Sequence, residues 1–166
     1  RRPSVFVDGW TLGTAEAVCA DDEGVLDGFA VFDALDRLVD HSLVHTTDTP
    51  LGVRFGMLET ARPYASRRLG SDPVEQTATQ RQHSTHFSIW ATSLQDQLLR
   101  GGTEELLGMI EAERSNLLAA VEFAIEDGQH TVALDAFFAL VPSLELRMWA
   151  PMATAAFALL DRLESQ

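Results

Sequence analysis

Apolar residues recur at gaps of three and four along most of this chain, and one short alternating stretch interrupts them. Thr11 precedes a periodic run that reaches Cys19, so its hydroxyl is expected to cap a short helix. Over 26–40, Phe32, Leu35, Leu38 and Val39 are expected on the buried face of a second helix, with Asp33, Asp36, Arg37 and Asp40 mostly off it. The period then changes. Residues 43–46 are β-favouring, 47–52 hold the turn residues Asp48, Pro50 and Gly52, and 53–58 alternate, placing Val53, Phe55 and Met57 on one face. Two short strands around a loop at 47–52 make a β-hairpin.

Helical patterns fill the rest. A helix over 59–69 contains Pro63, which is tolerable only in the first turn. Asp72 and Pro73 are the cap and first position of a long helix to Arg100, with Phe87, Trp90, Leu94 and Leu98 on its stripe. One helix is expected from Thr103 to a stop at Gly128, with Leu107, Ile110, Leu117, Val121 and Ile125 on its face. A nearly apolar helix over 131–141 ends at Pro142, and a last helix starts near Pro151. The fold class is therefore mainly α. Two helices and a hairpin are the skeleton of a winged helix, placed at 1–70 with its first helix truncated. Residues 71–166 read as TPR-like antiparallel helix pairs, the start of an array.

Charge narrows the chemistry. Arginine supplies all 12 basic residues against 25 acids, for a net charge of −13 over 166 residues. Without lysine there is no phosphate-loop lysine and no Schiff base. The expected reader helix carries Asp27, Asp33, Asp36 and Asp40 against Arg37, and the wing offers only Arg54, so nucleic acid is an unfavoured partner. The single cysteine fits a reducing cytoplasm. Residues 132–160 are apolar, but Pro142, Glu145, Arg147 and Pro151 break them too often for a membrane span. The abrupt start at Arg1 and the stop within a helical pattern read as a fragment of a longer protein.

No catalytic constellation emerges. Cys19 sits among Ala15, Val18 and Ala20 and reads as a small buried hydrophobe. His41 with His45, and His83 with His86, lack the further ligands that zinc needs, and no metal site is expected. The carboxylate pairs Glu104-Glu105, Glu111 with Glu113, and Glu126-Asp127 read as exposed helical charges. A small hydrolase built from the scattered carboxylates and histidines would need them to converge in one pocket. The aromatics are assigned to core packing. Phe137, Phe138 and Trp149 are expected at a partner-binding surface, because an unfinished array leaves its apolar face to a further repeat or a second copy of the chain.

Several blocks resemble one family. Val5-Phe6-Val7-Asp8-Gly9-Trp10-Thr11-Leu12 with Ala15-Glu16-Ala17-Val18-Cys19 looks like the opening of the winged-helix domain of STAND-type ATPases. Leu35-Asp36-Arg37-Leu38-Val39-Asp40-His41-Ser42-Leu43-Val44, the run from Phe55 to Ala65, and the run from Glu111 to Ala120 resemble further blocks in the same order. The match is to actinobacterial regulators of the LuxR-type group. The resemblance implies a non-catalytic regulatory fragment of a multidomain ATP-dependent transcriptional regulator. It implies ATP or ADP with magnesium in the parent's nucleotide domain, and no cofactor here. Its partners would be that ATPase domain and other proteins. The relatives' methionine–histidine–aspartate sensor falls at Met57-Leu58-Glu59, with Leu58 in the histidine's place, and Arg62 follows near the same interdomain face. The alternative is a stand-alone winged-helix DNA-binding protein.

Overall fold

The computed structural model describes residues 1–20, 26–100 and 103–141. A 3-10 turn at Arg2–Val5 leads to α1 (Leu12–Cys19), α2 (Gly28–Asp40), β1 (Val44–Thr49), β2 (Gly52–Met57), α3 (Arg62–Gly70), α4 (Pro73–Leu99), α5 (Glu104–Ala112), α6 (Arg114–Glu126) and α7 (His130–Leu140). The described residues are thus mainly helical, with one two-stranded antiparallel hairpin, as the sequence pattern predicts for a winged helix followed by helices. Residue contacts divide it into two compact units, Arg1–His86 and Phe87–Gln166.

In the first unit, both early helices are capped by side chains that accept from otherwise unpaired amides. Thr11 Oγ1 accepts from the Thr14 N–H at 3.2 Å, and Asp27 Oδ1 from Ala30 at 2.8 Å. α2 begins at Gly28, two residues later than expected, because Asp27 is its cap. Its buried face differs from the expected one. Val31 and Leu35 are buried with Leu38 beside them, whereas Phe32 is exposed. Phe32 lies one position, about 100°, round from Val31, so the helix cannot bury both fully. α2 closes with two reversed bonds, Leu43 N–H to Leu38 O at 2.9 Å and Ser42 N–H to Val39 O at 2.8 Å. They require a left-handed residue, and Ser42 supplies it at φ 54.

The hairpin is longer and its loop tighter than expected. The strands run to Thr49 and from Gly52, leaving Pro50 and Leu51 as the turn, with Gly52 at φ 108. Thr49 Oγ1 holds that turn by donating to Gly52 O at 2.7 Å. Val53 is exposed, while Phe55 is half-buried and Met57 buried. Phe55 pairs with Trp10 through two backbone hydrogen bonds of 2.8 and 2.9 Å, which tie the start of the chain to β2. The core beneath is aromatic. Phe6 stacks on Trp10 with ring centroids 5.0 Å apart and meets His83 at 5.5 Å. α3 starts at Arg62 rather than Glu59, because Leu58 O first gathers the N–H groups of Ala61 and Arg62 in a turn. Pro63 then falls in the first helical turn, where its missing N–H leaves no bond unmade. Asp72 Oδ1 accepts from the Glu75 N–H at 3.1 Å at the head of α4.

In the second unit, the helix expected from Thr103 to Gly128 is two helices divided at Glu113. Glu113 leaves helical geometry at ψ 5, and its buried carboxylate accepts from Asn116 Nδ2 at 2.8 Å. The apolar period runs unbroken across this point, so periodicity did not signal the break. α6 ends at Gly128 as expected, at φ 75, with Gln129 N–H bonding to Ala124 O at 2.7 Å. α6 and α7 pack through alanines: Ala124 and Ala133 form a buried pair, with Ile125, Val132 and Leu134 against them. Trp149 and the helix expected near Pro151 lie outside the described residues.

Candidate interaction surfaces

The strand β2 carries Met57 to the base of the wing and buries it. Leu58, next along, is 38% exposed, and its N–H bonds to Leu43 O at 3.1 Å. Glu59 projects into solvent with 91% of its side chain exposed, and its nearest cation is Arg62 Nε at 4.0 Å. At that separation and exposure the pair contributes little. Arg62 is committed elsewhere: its guanidinium donates to Phe6 O, 56 residues away in the chain. Of the four residues the sequence singled out here, Leu58 and Glu59 face outward. Met57 and Arg62 are built into the domain. The sequence singled out Arg62 for an interdomain face, and nothing in it signalled the tie to Phe6, because that partner is a backbone carbonyl.

Two other arginines also tie the unit together through carbonyls. Arg2 donates to Cys19 O at 2.7 Å and Ala20 O at 3.1 Å, and its Nε pairs with Glu75 at 3.0 Å. Arg54 donates to Gly9 O at 2.7 Å. Burial pushes the Cys19 thiol up to about 12, so it stays protonated at neutral pH. Among the described residues no three His, Cys, Asp or Glu side chains gather in a way that could hold a metal.

A half-open groove of about 450 Å³ lies beside the wing base, walled by Leu38, Leu43, Met57, Ala61, Tyr64 and Arg68 among others. It is mostly apolar, and Arg1 and Arg68 both line it. The helices α2 and α3 that help to form it present opposite charges outward. On α2, Phe29, Phe32, Asp33, Asp36 and Asp40 are all exposed on one stripe, and Phe29 is 80% so. Arg37, the only cation of that helix, is held by Asp33 at 2.7 Å. On α3, Tyr64, Arg67 and Arg68 are exposed. The exposure of Phe29 and Phe32 corrects the assignment of the aromatics to core packing. In the second unit Phe138 is 55% exposed on α7 and Phe137 half-buried, while Ala133, Ala136 and Leu140 take the buried face.

No helix among the described residues is long and apolar enough to cross a membrane. Residues 1–70 match the family model described as a winged helix-turn-helix domain. Relatives in Mycobacterium bovis and in two strains of Mycobacterium tuberculosis, provisionally named HTH-type transcriptional regulators, are 37% identical over 142 residues. Those alignments cover 86% of this chain and 16% of each relative, so the chain spans about a sixth of their length. No solved structure matches the chain. Helix, helix, hairpin and helix in this order, together with the match over 1–70, give the first part of this chain the fold of a winged helix.

Proposed function

We propose that this chain is a regulatory, non-catalytic segment of a larger transcriptional regulator, and that it works through protein contacts rather than by reading DNA. The observation that carries the reading is the outer face of α2. In a DNA-reading winged helix, the helix before the wing enters the major groove. Here that helix shows solvent Asp33, Asp36 and Asp40, and its one arginine is neutralised by Asp33. Carboxylates facing phosphates oppose binding, because affinity comes from cations that displace counterions.

The finer reading places the segment beside a nucleotide-binding ATPase domain in a parent protein of the STAND type, with α5, α6 and α7 opening a TPR-like array. Leu58 and Glu59 at the wing base are the residues on the face toward that domain. ATP or ADP and magnesium would then be held by the parent, and the segment would bias its open and closed states through differential contact. The test is a parent protein carrying this segment. Glu59→Lys and Leu58→Asp are expected to change its rate of nucleotide hydrolysis or exchange without altering the segment's helical content. Unchanged rates with both variants would remove the ATPase-switch reading.

A second reading is a stand-alone winged-helix DNA-binding protein. The family match over 1–70 and the names of the mycobacterial relatives favour it. It needs a basic face, and duplex DNA binding separates the two.

A further inference from the structure

We propose that copies of this chain associate by docking the outer face of α2 in one copy against the outer face of α3 in another. The two faces are complementary in charge and similar in apolar content. α2 offers Phe29 and Phe32, 80% and 46% exposed, among Asp33, Asp36 and Asp40. α3 offers Tyr64, 68% exposed, beside Arg67 and Arg68. Most of the first unit's arginines are already engaged: Arg1 and Arg2 with Glu75, Arg37 with Asp33, Arg54 with Gly9 O, Arg62 with Phe6 O. Arg67 and Arg68 differ. Arg67 reaches only its own helix, through Pro63 O at 3.3 Å, and neither meets a carboxylate among the described residues.

A guanidinium stacks on an aromatic face while pairing with a flanking carboxylate. The α2 stripe presents both partners side by side, so Arg67 and Arg68 of a second copy would each find a ring and an acid there. The overall charge of −13 opposes association at long range. At physiological ionic strength the screening length is about 8 Å, so remote charges fade and the pairs in contact dominate. The inference stands on the charges of these two helices alone and does not depend on the ATPase reading.

The test is sedimentation equilibrium of this chain at physiological salt, with charges reversed on one face at a time. Wild type is expected to associate reversibly at micromolar concentration. The pair Asp33→Lys with Asp36→Lys, and separately Arg67→Glu with Arg68→Glu, are each expected to weaken association by about tenfold or more. Mixing the two variants, or combining all four changes in one chain, is expected to restore it. Restoration also shows that the variants fold. Wild type that stays monomeric into the high micromolar range would overturn the proposal. So would association that neither reversal weakens, which would move the interface to another surface such as α7. Strengthening by the α2 reversal with weakening by the α3 reversal would also overturn it, since that is the behaviour of net charge alone.

Discussion

The first unit and the α6–α7 pair of the second are packed by different means. The first buries large rings, with Phe6 on Trp10, and reaches across the sequence with arginines that end on the carbonyls of Gly9, Phe6 and Cys19. The second brings neighbouring helices together on small residues, with Ala120, Ala124, Ala133 and Ala136 fully buried along α6 and α7. One is held by ring volume and long-range polar ties, the other by close approach of two helices adjacent in the chain. Cutting a ring should therefore hurt at the Phe6–Trp10 stack, and adding a side chain should hurt between α6 and α7.

The largest effect is expected from Trp10→Ala. The ring is fully buried, so its loss should cost about 3–5 kcal/mol in chemical denaturation followed by circular dichroism. A cost under about 1 kcal/mol would mean that the stack is not the core of this unit. The counterpart in the second unit is Ala136→Leu, where overpacking should cost about 1–3 kcal/mol. If that variant is neutral, α6 and α7 are not closely packed.

A smaller effect concerns pH. The folded thiol of Cys19 is raised from 9.0 to about 12, so above pH 9 the unfolded chain releases a proton that the folded chain keeps. Stability should therefore fall as pH rises from 9 toward 12, by about 1 kcal/mol at pH 10, and Cys19→Ala should lack that component. Cys19 should also resist thiol reagents at pH 8 until the chain is unfolded. The smallest expected change is a gain. Ser42→Gly removes the cost of a non-glycine residue at φ 54 and should stabilise the first unit by about 0.5–1 kcal/mol.

The sequence carried the elements better than their surroundings. Caps at Thr11 and Asp72, the helix start at Thr103, the stop at Gly128 and the hairpin itself are all local chemistry, and they stand where local rules put them. What failed was not marked in the apolar period. The division at Glu113 is fixed by a buried carboxylate and its bond to Asn116, within an apolar period that continues on both sides. α2 is turned so that Val31 and Leu35 are buried and Phe32 is exposed, one position away on the same helix. The α2 acids were legible as a feature that opposes DNA. The exposed rings beside them were not, because an aromatic at helical spacing is ordinarily a core residue.

The central claim is that this winged helix does not work as a DNA reader. Anisotropy of labelled duplex DNA titrated with the chain, from about 50 mM to 200 mM salt, tests it directly. The account predicts no saturable binding even at the low end. Saturable binding that weakens steeply as salt rises would contradict it and make the DNA-binding reading the correct one.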